Sequence, residues 1–140
     1  MSFAALLIGA IVLGFAAYVR LAPSVPAVWH VPPVIDAPWD TVQPGRGSAA
    51  LRLSLAKGAP ADLLARLDTL AMATPRTTRL SGSVAEGRIT WITRSALWGF
   101  PDYTTAEVRV DGLYIQARLR FGSEDTGVNA ARLNDWFSRL

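Results

Sequence analysis

The chain opens with an unbroken apolar run. From Ser2 to Val19 no residue is charged, and Leu, Ile, Val, Ala and Phe fill most positions. Eighteen residues of helix extend about 27 Å, close to the ~30 Å of bilayer hydrocarbon. Residues 1–21 are therefore expected to form a single transmembrane anchor. Tyr18 and Arg20 fall where an interfacial aromatic and a snorkelling cation belong, and Pro23 stops the helix. A cleavable signal peptide is the rival reading, with Gly14 and Ala16 as the small residues of a cleavage site. No basic stretch precedes the run, and this favours a retained anchor. Ala5 and Gly9, and again Ala10 and Gly14, are four apart, a spacing that lets a second membrane helix approach closely.

Residues 22–47 carry six of the nine prolines, too dense for any helical or strand period. They are expected to form an extended, stiff linker that lifts the following domain off the membrane. Trp29 and Trp39 lie in it. They are expected to pack onto the domain, with headgroups and a partner subunit as the other surfaces open to them. His30, the one histidine, sits among the prolines and reads as structural.

Residues 48–140 alternate between two periods. Ala49, Leu51, Leu53 and Leu55 face one way and Ala50, Arg52 and Ser54 the other, which predicts a half-buried strand. Pro60 opens a helix whose stripe is Leu63, Leu67 and Leu70, with Leu64 and Ala71 beside it. Pro75 requires the helix to end by Thr74. Two strands are predicted at 77–84 and 88–95. An apolar corner follows, from Leu97 to Asp102. Then comes a hairpin turning at Asp111-Gly112, with Arg109 opposite Tyr114 and Glu107 opposite Gln116. Val108, Val110, Leu113, Ile115, Ala117, Leu119 and Phe121 share its greasy face. Glu107, Arg109, Tyr114, Gln116, Arg118 and Arg120 share the other, which is then solvated or a binding surface. A last helix, capped by Asp125 or Thr126, places Val128, Leu133, Trp136, Phe137 and Leu140 over the sheet. The fold class is α+β: an antiparallel sheet of about four to five strands with two helices packed on it, preceded by one transmembrane helix.

Composition narrows the chemistry. There is no cysteine, so no disulfide, no thiolate nucleophile and no cysteine-based zinc site. Thirteen arginines stand against one lysine, Lys57, for a net charge of +3, too small to imply a nucleic-acid partner. No triad, nucleophile elbow, zinc-protease motif or Walker lysine is present, and Gly45-Arg46-Gly47 precedes a strand instead of following one. One polar cluster invites a site. Arg94, Asp102, Arg120, Glu124, Asp125 and Asn129 fall at strand ends, in the corner and at a helix start. Three readings stay open for them: a structural network, an anion site built on Arg94 and Arg120, or hard oxygen ligands from Asp102, Glu124 and Asp125. The first is favoured, and no catalytic residue, cofactor or metal is assigned.

Two runs in this region, with Thr74-Pro75-Arg76-Thr77, resemble a known family. They are Arg94-Ser95-Ala96-Leu97-Trp98-Gly99-Phe100-Pro101-Asp102 and Arg120-Phe121-Gly122-Ser123-Glu124-Asp125-Thr126-Gly127-Val128-Asn129-Ala130-Ala131-Arg132. They are similar to the signatures of the domain-of-unknown-function 1499 family, over roughly residues 50–140. Two departures stand out. Asp102 is followed by Tyr103 where relatives carry a second acid, and Glu124-Asp125-Thr126 replaces Ser-Asp. The resemblance implies no activity. Bacterial relatives are often lipoproteins or proteins anchored by one helix, so the resemblance implies an envelope location. The expected setting is a bacterial inner membrane with a single pass and a periplasmic domain, although Arg20 after the span weakly favours the cytoplasmic side. The expected function is a non-enzymatic envelope protein, an accessory or interaction subunit of a larger membrane complex. Its expected partners are membrane lipid and other membrane-protein subunits, through Ala5, Gly9, Ala10, Gly14, Trp29 and Trp39. The alternative is a domain that binds a small anionic ligand through the Arg/Asp cluster.

Overall fold

A computed structural model describes residues 2–140. The apolar run forms one helix, α1 (Phe3–Leu21), long and apolar enough to cross a membrane. A single-turn helix, α2 (Pro26–Trp29), follows. The sheet strands are β1 (Gln43–Gly45), β2 (Ser48–Ser54), β3 (Thr77–Ser83), β4 (Arg88–Arg94), β5 (Pro101–Arg109) and β6 (Gly112–Leu119). Between β2 and β3 runs α3 (Pro60–Ala73), and α4 (Val128–Ser138) closes the chain. All strand pairs are antiparallel, in the order β1-β2-β6-β5-β4-β3. The class is α+β as expected. The sixth strand is β1, a short edge piece that lies within the proline-rich segment, where proline suits an edge position.

The core lies between the sheet and its two helices. Leu51, Leu53, Ile89, Trp91, Ala106, Leu113 and Ile115 meet Leu63, Leu64, Leu67 and Ala71 of α3 and Leu133 and Trp136 of α4. Trp91 and Trp136 pack edge to face with centroids 6.0 Å apart. Each buried indole N–H has an acceptor, as burial of a polar group demands: Trp91 donates to Asp68 at 3.0 Å and Trp136 to the Thr74 hydroxyl at 2.9 Å. Thr74 in turn donates to the Leu70 carbonyl at the end of α3. One side chain thus ties both helices together.

The hairpin register differs from expectation by one residue at the turn. Arg109 pairs with Gly112 and Glu107 with Tyr114, so Val110 and Asp111 are the loop residues. Gly112 is the first residue of β6, not the second residue of the turn. It pairs with Ser54 across β2, and a Cβ there would sit 2.2 Å from the Leu53 carbonyl oxygen. Close approach of two backbones selects this glycine, and the residue faces survive because the shift preserves the alternation.

The second sheet face is where expectation and structure part most. The segment expected to lift the domain off the membrane instead lies along that face as a strap. Three rows of side chains receive it. Trp29 stacks on Tyr103 at 3.8 Å with planes 7° apart, and Arg118 lies over the same indole. His30 Nδ1 is 2.9 Å from the Thr90 hydroxyl, and Thr105 donates to the Trp29 carbonyl at 3.2 Å. Trp39 meets Tyr114 edge on, with Arg52 over its ring, as Trp39 and Arg52 form a parallel bridge. Burial, then the charge of Arg88, lowers the His30 pKa, so its place on the sheet favours the neutral ring over the imidazolium.

The strap's carbonyls have no strand ladder to accept for, and its prolines have no N–H to offer. Arginines from the sheet side fill the gap. Arg52 donates to the Ala37 carbonyl, Arg109 to Pro33 at 2.5 Å, Arg118 to Trp29 at 2.9 Å and Arg120 to Pro23 at 3.0 Å. Asp40 anchors the far end by accepting from the Ser54 amide and hydroxyl. Hydrogen bonds from charged donors contribute about 1.5–3 kcal/mol each when shielded from water. The packing of Trp29 and Trp39 onto the domain agrees with expectation, but the decorated face is a binding surface for the protein's own chain.

Two stability measurements check these contacts. Gly112→Ala is expected to cost about 2 kcal/mol by overpacking, read as a lower urea midpoint with unchanged slope. Trp29→Ala is expected to cost about 2 kcal/mol and to speed amide exchange across residues 39–43 and in His30 while the β5–β6 amides stay protected. Equal acceleration in β5 and β6 would show that the strap is no separate layer.

Candidate functional site

The family-like runs meet at one end of the sheet, beside the last turns of α1. They enclose a cleft of about 440 Å³, in the ~300–1,000 Å³ range of small-molecule sites. Phe15, Phe100, Leu119, Phe121 and Val128 form its apolar wall. Asp102, Glu124, Asp125, Arg132 and Ser95 supply its polar groups.

Each loop is shaped by its own residues. In the corner, Ser95 N–H donates to the Phe100 carbonyl, and the Phe100 N–H donates to the Ser95 hydroxyl at 3.0 Å. Gly99 adopts φ +74°, which an L side chain rarely tolerates. Arg94 donates to the Gly99 carbonyl at 2.9 Å and so closes the loop. At the start of α4, Asp125 accepts from Gly127 N–H at 3.0 Å and Asn129 N–H at 2.9 Å. These are orphan donors of a helix start, and Asp125 caps them from two residues upstream of the Gly127 cap position. Asn129 is fully buried, and its side-chain oxygen accepts from Arg132 at 2.7 Å. Arg132 also pairs with Asp102 at 3.3 Å, both side chains being largely buried.

The expected cluster is therefore split. Asp102, Glu124 and Asp125 line the cleft; Arg94 and Arg120 do not. Arg94 serves the corner carbonyl. Arg120 serves the Pro23 carbonyl and the Tyr103 hydroxyl, with its guanidinium over Phe121. The cation of the cleft is Arg132. Its place three residues after Asn129, one turn along the same helix face, was the signal for it. Tyr103, the departure after Asp102, is the buried platform beneath Trp29 and also bonds the Ser24 hydroxyl at 2.6 Å. Among the described residues no group of three or more carboxylates or imidazoles is placed to hold a metal ion.

The two aspartates titrate in opposite senses. Burial pushes the Asp102 carboxyl above its ordinary pKa, against the pull of Arg132 and with a contribution from Asp125. Burial also pushes Asp125 up, but the amide donors of Asn129 and Gly127 together outweigh it and hold that carboxyl below its ordinary range. A depressed carboxyl contributes stability above its unfolded pKa and loses it as pH falls through the folded value. For Asp102 the sign reverses, and protonation relieves a burial cost.

The small α+β domain, with a cleft at one sheet end and an apolar helix docked beside it, defines the class of protein. Residues 32–140 match the family described as "Protein of unknown function (DUF1499)", and the chain belongs to that family. The match begins inside the strap, ahead of the first sheet strand. No curated protein and no solved structure matches the chain.

Carboxyl-carbon NMR titration is expected to show Asp102 taking up its proton at higher pH than Asp125. Asp125→Ala is expected to cost about 1 kcal/mol at neutral pH, and the difference from the unaltered chain to shrink once pH drops below the ordinary carboxylate range.

Proposed function

We propose that this protein is a non-enzymatic, membrane-anchored envelope protein that acts by contact, as an accessory or interaction subunit of a larger membrane complex. One observation carries the reading. α1 has 19 residues, of which Arg20 alone is charged, and it lies almost wholly outside the domain core, with Val19 alone buried. A soluble fold leaves no such helix uncovered, whereas a bilayer accepts it. Ala5, Gly9, Ala10 and Gly14 are exposed, and nothing lies within 4 Å of a Cβ built on either glycine. That leaves the small-residue positions free for another membrane helix. The proposed setting is a bacterial inner membrane with a single pass and the domain on the periplasmic side.

The absence of a recognised catalytic motif supports the non-enzymatic part. Of the three cleft carboxylates, Asp102 is paired with Arg132 and Asp125 is engaged by amides, which leaves Glu124 without a second free carboxylate to work with as an acid–base pair. The alternative, a small-anion binder using Arg94 and Arg120, draws less support. Both guanidiniums already donate to backbone carbonyls, and the carboxylates outnumber Arg132 in the cleft.

The test is fractionation followed by gentle solubilisation. The full chain is expected to stay with membranes through an alkaline carbonate wash and to migrate in mild detergent with other membrane proteins. Release by the wash overturns the anchor. Migration only as a free monomer overturns the subunit role.

A further inference from the structure

We infer that the apolar corner at residues 97–100, with Val128 beside it, is immersed in the membrane interface and touches lipid directly. The inference rests on α1 spanning the bilayer and adds where the domain sits relative to it.

The reason is a shortage of helix. Nineteen residues extend about 28 Å, and the hydrocarbon layer is ~30 Å thick. No turn of α1 is left over to stand above the bilayer. Yet the domain packs against its last turns. Phe15 meets Phe100 edge on at 6.2 Å, and Tyr18 meets Phe121 at 5.8 Å. Arg20 donates to the Leu97 carbonyl at 2.9 Å and to the Trp98 carbonyl at 3.3 Å. Phe15 lies about 7.5 Å along the axis below Arg20, and helical side chains lean toward the N-terminus, so its ring is deeper still. Whatever touches Phe15 lies at that depth.

The surface at this level suits a lipid. Leu97 is 75% exposed, Val128 49% and Trp98 39%, all beside the apolar helix. Scattered exposed apolar residues are ordinary, but these adjoin a segment that already requires hydrocarbon. Trp98 gives the indole that membrane interfaces favour. The Arg20 guanidinium, expected to snorkel to water, instead caps the corner's carbonyls and so reduces the cost of placing that backbone at the interface.

The lack of cysteine makes the test clean, because one introduced thiol labels one site. The full chain is reconstituted in vesicles of phosphatidylcholine and phosphatidylglycerol, as Leu97→Cys, Val128→Cys, Ile11→Cys or Val110→Cys, each carrying a nitroxide. Relaxation by oxygen, which concentrates in lipid, is compared with relaxation by a water-soluble nickel chelate. Val110 is 97% exposed at the hairpin tip, about 30 Å along β5 from the corner, and is expected to read water. Leu97→Cys and Val128→Cys are expected to read lipid, as Ile11→Cys does. A water signal at Leu97→Cys with a lipid signal at Ile11→Cys overturns the immersion and leaves the anchor standing. A water signal at Ile11→Cys overturns the anchor itself, and the inference with it. Shielding of Leu97→Cys from both reagents means that protein covers the corner, which overturns the lipid contact.

Discussion

The structure depends on how a proline-rich backbone is satisfied against a sheet. Residues 23–37 hold carbonyls that no ladder serves, and lying on the sheet would strand them without water. Four arginines of the sheet layer, Arg52, Arg109, Arg118 and Arg120, each donate to one of these carbonyls. A guanidinium has five donors in a rigid fork, so it can serve a carbonyl while its flat face lies on an aromatic ring. Arg118 over Trp29 and Arg52 over Trp39 do both. A lysine, with its compact and strongly hydrated charge, matches that demand poorly. The arginine-rich composition thus has a structural use.

From this clamp the placement of everything else follows. The strap fixes where α1 leaves the domain, because Ala22 is buried and Pro23 is held by Arg120. The emerging helix then lies against Phe100 and Phe121, and the cleft forms between them. Apolar helix, strap and domain are consecutive parts of one packed object. In the proposed membrane setting the domain sits down on the bilayer, where a flexible tether would have let it range.

The family-like runs shape loops more than they supply reactive groups. Asp125 caps α4, Asn129 and Arg132 carry that cap to Asp102, and Arg94 closes the corner on Gly99. Thr74 joins α3 to Trp136. Arg94, Asp102, Arg120, Asp125 and Arg132 all have partners in the fold, while the buried Asn129 uses only its side-chain oxygen. The opposite shifts of Asp102 and Asp125 have the same origin, since one carboxylate is buried beside a single cation and the other faces a fan of amides.

Local pattern alone determined much of this protein. The 2.0 and 3.6 periods placed β2, β3, β4, β6, α3 and α4 within a residue or two, since burial of one face imposes that alternation wherever the strand or helix ends up; the first half of β5, from Pro101, carried no such signal. The length of the apolar run likewise marked α1. The hairpin turn went one residue astray, because Gly112 answers to the Leu53 carbonyl on β2, 59 residues earlier in the chain. The strap was legible only as an absence of period. Proline forbids regular structure but says nothing of what the chain lies on. The binding surface for it was legible as a polar face, while its occupant was not. Likewise Arg94 and Arg120 could be foreseen as cations near the cleft, but not that backbone carbonyls would claim them. Such bonds join residues up to 97 positions apart, and only the folded sheet brings those carbonyls within reach.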